Sequence, residues 1–164
     1  MEKAQVLIVM GSESDLPVME ETAKVLSEFG VSSRMHIASA HRTPEKAAKL
    51  ALGARGEGVK VIVAGAGYAA HLAGAMAANT TLPIIGVPLD ASSLAGLDSL
   101  LSTVQMPAGL PVATVSIGKA GARNAGILAA EIIATADEAL SKKLADFRRK
   151  MAEKVEEADS RLSR

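Results

Sequence analysis

The sequence predicts a three-layer α/β/α domain built on a parallel five-stranded sheet. Two observations carry that prediction. Short, continuously apolar runs alternate along the chain with segments of helical period, which is the pattern of strands joined by crossover helices. The first run, "QVLIVM", also lacks the polar alternation of a half-exposed strand, as expected of a strand covered on both faces. Five strands wound this way need right-handed connections, and ligands then collect outside the strand carboxyl ends.

The elements follow in order. "QVLIVM" (5–10) is the first strand and breaks at Gly11. "SESDLPVMEETAKVLSEFG" follows as a helix with acidic residues in its first turn, Pro17 early and Gly30 as its stop. The second strand lies near "SRMHIAS", and a helix runs from Pro44 towards Arg55, ending in a turn at Gly56 and Gly58. "KVIVAGAG" is the third strand, "AAHLAGAMAAN" a helix of small residues and "LPIIGVP" the fourth strand. "SSLAGLDSLLSTV" reads as a helix, "PVATVSI" as the fifth strand and "ARNAGILAAEIIATA" as a further helix. Residues 137–164 form a highly charged tail. Leu140, Leu144, Phe147, Met151, Val155, Ala158 and Leu162 make a narrow apolar stripe along it, which we expect to contact a neighbouring subunit.

Composition narrows the function. The 164 residues suffice for one domain, and 49% are hydrophobic while only 2% are aromatic, so Ala, Val, Ile, Leu and Met build the core. Eighteen basic residues balance 18 acidic ones, so nothing drives nucleic-acid binding, and bases would find almost no stacking partners. With no cysteine, disulfides, thiol nucleophiles and cysteine zinc sites are excluded. Val61 to Leu89 carries no Asp, Glu, Lys or Arg, but Gly65, Gly67, His71, Asn79 and Pro83 interrupt it. A buried strand–helix–strand unit is expected there, not a membrane span. The run "AQVLIVMG" has no small-residue cleavage pattern after it, and a cytoplasmic protein is expected.

Candidate chemistry gathers at the strand ends. "MGSESD" sets Gly11, Ser12 and Ser14 between the first strand and helix; it suits either an anion site or an ordinary helix N-cap. It is neither a P-loop nor a dinucleotide fingerprint. Gly67 and the alanines around it allow either close approach to a small ligand or tight helix–sheet packing. His36, alternating with apolar neighbours in a strand, reads as structural, and His71 at an apolar helix start reads as a satisfied core histidine. His41 and Arg42 in "SAHRTP" differ, standing at a strand end just before Pro44. Arginine offers a planar fork for phosphate or carboxylate, and histidine exchanges a proton near neutral pH. The histidines lie on scattered elements without metal-ligand spacing. The residues alone therefore point to an anionic small molecule held at the strand ends, with His41 as acid/base.

Taken together, "MGSESDLPVM", "SAHRTPE", "AGAGYAAHLAG", "PIIGVP" and "GLDSLLSTVQMPAGLPVATVSIGKAGARNAGILAA" closely resemble the N5-carboxyaminoimidazole ribonucleotide mutases of bacterial purine biosynthesis, the class I PurE family. The likeness runs from about Val6 to Ile133. It implies a flavodoxin-like catalytic domain over residues 1–136 with strand order 2-1-3-4-5, the helical tail 137–164, and a homo-octamer. It implies carboxylate transfer from nitrogen to ring carbon, with no metal or organic cofactor and with His41 as general acid/base. By the same resemblance Ser12 and Arg42 take the phosphate and Asp15 the ribose. Gly11, Ser14, Ser39, Ala40, Ala66, Gly67, His71 and Leu72 complete the substrate site and its wall around carbon dioxide. The chain departs from the family's usual Gly-Gly-Ala-Ala-His-Leu-Pro at Tyr68 and Ala73, so the shape of that loop is an open expectation. An aminoimidazole ribonucleotide carboxylase using free carbon dioxide is the alternative on the same fold, and a non-enzymatic nucleotide-binding module a more distant one.

Overall fold

The protein is described by a computed structural model covering residues 3–162, so the last two residues of the expected tail lie outside the described residues. Strands β1 (Val6–Met10), β2 (Ser33–Ile37), β3 (Val61–Ala66), β4 (Ile84–Pro88) and β5 (Ala113–Thr114) pair in the order β2-β1-β3-β4-β5, all parallel. This is the flavodoxin-like order the resemblance implies. Helices α1 (Leu16–Phe29), α2 (Pro44–Ala54), α3 (Leu72–Ala77), α4 (Leu97–Val104), α5 (Gly118–Ala134) and α6 (Glu138–Leu162) complete the chain.

Successive strand residues point to opposite faces, and both faces are covered. Val6, Ile8, Met10, Val61, Val63, Ile85 and Val87 pack with α1 and α5. Leu7, Val9, Ile62, Ala64 and Ile84 pack with α2 and α3. The absence of polar alternation in these runs follows directly.

Small residues set the spacing of the first layer. Ala122, Ala125, Ala129 and Ala130 of α5 are wholly buried, and Thr22 of α1 donates its hydroxyl to the Ala122 carbonyl at 2.7 Å. At Gly126 a Cβ would meet the Thr22 carbonyl oxygen at 3.0 Å and Val25 at 3.1 Å. The two helices touch backbone to backbone.

Three elements are shorter than the sequence suggests. α3 starts only at Leu72, because residues 67–71 form a loop. α4 starts only at Leu97, because Ala95 (φ 49°) and Gly96 (φ 86°) are left-handed and cannot continue a right-handed helix. β5 is an edge strand with one neighbour; it pairs over Ala113 and Thr114, with one further bond from the Val115 N–H to the Gly86 carbonyl. The charge-free span forms β3, α3 and β4, as expected, and among the described residues no helix is long and apolar enough to cross a membrane.

The tail helix corrects one expectation. Leu140 and Leu144 are buried against α1 and α5 of their own domain, and Phe147 meets Phe29 edge-on at 5.4 Å. Asp137 caps α6 by accepting from the Leu140 N–H, and Lys143 donates to the Phe29 carbonyl at the end of α1. The first half of the stripe is thus covered within the protomer, since Phe29 at the end of α1 offers it an apolar seat. Met151, Val155 and Leu162 stay exposed.

Gly126→Ala forces the α1–α5 spacing apart and should destabilise the fold by about 1–3 kcal/mol, the usual penalty for overpacking. Thermal unfolding should show it as a fall of roughly 2–4 °C per kcal/mol. An unchanged melting temperature would show that the spacing can relax.

Candidate active site

The parallel register brings three strand ends to one place. Met10 pairs with Ile37 on one side and Gly65 on the other. The ladder runs one residue further on each side, through Ala38 N–H to the Met10 carbonyl and Gly11 N–H to the Gly65 carbonyl. The loops after β1, β2 and β3 therefore leave the sheet side by side.

In the first loop Ser12 and Asp15 form a reciprocal cap. The Ser12 N–H donates to Asp15 Oδ2 at 3.0 Å, and Ser12 Oγ accepts from the Ser14 N–H at 3.4 Å. Ser14 Oγ lies 3.1 Å from Ser12 Oγ, so two hydroxyls cluster above the turn. Asp15 is 8% exposed. Burial pushes its carboxyl above the usual value, against the backbone N–H groups of Ser12 and Gly11, the Ser14 hydroxyl and the Arg42 charge.

The second loop is a tight turn held by Ser39 and Thr43. The Ser39 N–H donates to Thr43 Oγ1, the Thr43 N–H to the Ser39 carbonyl, and the Arg42 N–H to Ser39 Oγ. Pro44 then starts α2. Arg42 reaches across to the first loop and donates through Nη2 to the Gly11 carbonyl at 3.0 Å. One edge of the guanidinium is thereby anchored, and its other donors have no hydrogen-bond partner among the described residues.

His41 meets the third loop. Its Nε2 lies 2.9 Å from Nδ1 of His71, with the rings edge-on at 4.8 Å. The same Nδ1 lies 2.8 Å from the Ala69 carbonyl. A carbonyl can only accept, so His71 Nδ1 carries the hydrogen. His41 Nε2 then presents its lone pair, and protonating it breaks the contact with His71. His71 is exposed. The expectation of a satisfied core histidine is corrected, because α3 begins one residue later and leaves His71 in the loop.

That loop has little room. A Cβ on Gly67 would lie 2.7 Å from the Ala91 Cβ, so this loop packs against the one after β4. Tyr68 is left-handed at φ 55°. The chain keeps there the conformation a glycine would take freely, at a strain of about 1–2 kcal/mol.

Together these loops line a cavity of about 480 Å³. Gly11, Ser12, Ser14, Asp15, Ser39, Ala40, His41, Arg42, Ala66, Gly67, His71 and Leu72 all line it, so every candidate from the sequence is brought together. Tyr68, Ala69 and Ala91 line it too. Ala91 carries no chemical signal in the sequence; only its packing against Gly67 places it there. His36 is outside, partly buried in β2, its pKa lowered by burial and by Arg34 and Lys46. A larger groove of about 790 Å³ lies at the opposite strand ends, beside Thr81, Pro83, Leu110 and Pro111. It has no charged lining residue, so it can neither neutralise a phosphate nor move a proton. Among the described residues no group of three or more His, Asp or Glu could hold a metal ion.

Fold and cavity define a doubly wound α/β protein with an arginine- and histidine-lined cavity at its strand ends. Residues 5–154 match the AIR carboxylase family, and the chain belongs to it. It is 53% identical over 148 residues to the N5-carboxyaminoimidazole ribonucleotide mutase of Vibrio parahaemolyticus, covering 90% of this chain and 92% of that one. The mutase of Pyrococcus horikoshii is 53% identical over 161 residues, covering 98% and 90%. The crystal structure of Treponema denticola PurE superposes with a TM-score of 0.88 at 30% identity, covering 97% of this chain and 98% of that one.

Asp15 allows a pH test. Its raised pKa means the folded state holds the proton more tightly than the unfolded one, so this group's contribution to stability falls as pH rises through and above 3.8. Asp15→Asn keeps an acceptor for the Ser12 N–H and removes the buried charge. At pH 7 it should be at least as stable as the parent, and its stability should lack that decline. Urea titrations across pH would show both, and a clear loss of stability at pH 7 would contradict the origin given for the shift.

Proposed function

We propose that the protein is an N5-carboxyaminoimidazole ribonucleotide mutase of de novo purine biosynthesis, an isomerase working without metal or organic cofactor. One observation carries the reading: a histidine able to move a proton shares a cavity with an arginine, a serine pair and a buried carboxylate. The ribonucleotide's phosphate lies against Ser12, Ser14 and the remaining donors of Arg42, where a planar fork gives charge-assisted bonds. Asp15 accepts from the ribose hydroxyls, and Gly11 and Ala40 leave room for the sugar. The reacting ring lies beside His41.

The chemistry needs one proton given and one recovered. Protonated His41 delivers its proton to the carbamate nitrogen; the C–N bond breaks, its electron pair stays on nitrogen, and carbon dioxide is released. The ring carbon then attacks carbon dioxide and forms the C–C bond. Loss of the proton from that carbon restores the aromatic ring and reprotonates His41. Atoms and charge balance with no net redox change. Ser39, Ala66, Gly67, His71 and Leu72 keep carbon dioxide beside the ring, which turns the second step into an intramolecular one.

The second reading is an aminoimidazole ribonucleotide carboxylase taking free carbon dioxide, which the family's name supports. The relatives near 50% identity favour the mutase. Assaying purified protein separately with N5-carboxyaminoimidazole ribonucleotide and with aminoimidazole ribonucleotide plus bicarbonate distinguishes them. Fast turnover of the first supports the mutase; turnover of the second alone replaces it.

His41→Asn should bind nucleotide normally and lose roughly 10²-fold or more in kcat. Near-normal kcat would remove His41 from the mechanism. The protein works in the cytoplasm in this reading, and as a homo-octamer. Leu94, Leu97, Leu101 and Val104 around α4, with Met151, Val155 and Leu162 on α6, stay exposed on the protomer and suit burial between copies, about 1.5–3 kcal/mol for each one fully covered. Light scattering should give eight times the 16.8 kDa chain, and a stable monomer at micromolar concentration would sink the assembly.

A further inference from the structure

Tyr68 is the one large apolar side chain lining the cavity whose surface the core has not already covered. Leu72, the other, is 1% exposed and belongs to the core, whereas Tyr68 is 63% exposed. Its hydroxyl makes no hydrogen bond among the described residues, so neither packing nor polar contact within the protomer gives the ring a role. Its backbone is left-handed at φ 55°. Relaxing φ to a negative value would re-aim the side chain, so the strained backbone is what keeps the ring on the cavity side. Backbone strain held in a loop beside a ligand site is a recurring way of pre-setting a contact.

Resting on the function proposed above, we propose that Tyr68 is a substrate-contacting residue: its ring stacks on the aminoimidazole within the cavity. A flat heteroaromatic ring must lie near His41 for proton transfer, and apart from the buried Leu72 the remaining lining offers it only small or polar side chains. Tyr68 supplies the missing apolar face. Tyr68 thus gives up stability in the free protein for a contact made only with ligand.

The chain has one tyrosine and no tryptophan, so intrinsic fluorescence reports on Tyr68 alone. Titration of the intact protein with 5-aminoimidazole ribonucleotide should change that emission saturably, with the dissociation constant found by calorimetry. Tyr68→Gly should weaken calorimetric binding about 10-fold, the scale of a base–aromatic stack, while its melting temperature rises by about 2–4 °C as the strain is relieved. Tyr68→Phe should bind as the parent does. Heat of binding with unchanged tyrosine emission would overturn the contact. So would Tyr68→Gly that binds as the parent does, or one that loses binding together with stability, which would make Tyr68 a structural residue. No heat of binding in the parent would fail the functional reading itself and take the contact with it.

Discussion

The site depends on the double pairing of β1. Because Met10 is in register with Ile37 and with Gly65, three chain segments leave the sheet at the same level and on the same edge. Nothing in the loops could achieve this alone: Arg42 reaches the Gly11 carbonyl, and His41 reaches His71, only because their strands end together. A shift of one residue would also turn every side chain of the slipped strand to the other face. With both faces of β1 buried, that slip is strongly opposed. The core that fixes the register is therefore also what fixes the chemistry.

Around that frame the polar groups are arranged so that each loop holds the next. Asp15 secures the first loop through the Ser12 N–H, Ser39 and Thr43 close the second, and the Ala69 carbonyl orients His71 in the third. Two features run against stability: a carboxyl in a buried place and a tyrosine in a left-handed one. Both line the cavity, where a ligand's hydroxyls and ring could use them. Native domains are only marginally stable, so such departures persist where binding repays them.

Much of this was legible in the sequence. Continuous apolar runs such as "QVLIVM" tell of strands covered on both faces, and the strand-end positions of Ser12, His41 and Arg42 point to the cavity they line. What escaped was set by tertiary contact. α3 and α4 start late because loops between strand and helix are shaped by neighbours: Gly67 against Ala91, and left-handed Ala95 and Gly96. His71 was misread for the same reason, since an apolar surrounding sequence does not reveal whether the helix has begun. The tail stripe is uniform in sequence, yet only Leu140, Leu144 and Phe147 find a seat on their own domain.

The central claim is that the nucleotide binds where β1, β2 and β3 end, with its ring against His41. A crystal structure of the protein with 5-aminoimidazole ribonucleotide tests it most directly. The account predicts the phosphate between Ser12 and Arg42, the ribose on Asp15 and the ring within hydrogen-bond reach of His41 Nε2. Nucleotide density in the groove beside Thr81 and Pro111, with the β1–β3 cavity empty, would contradict it.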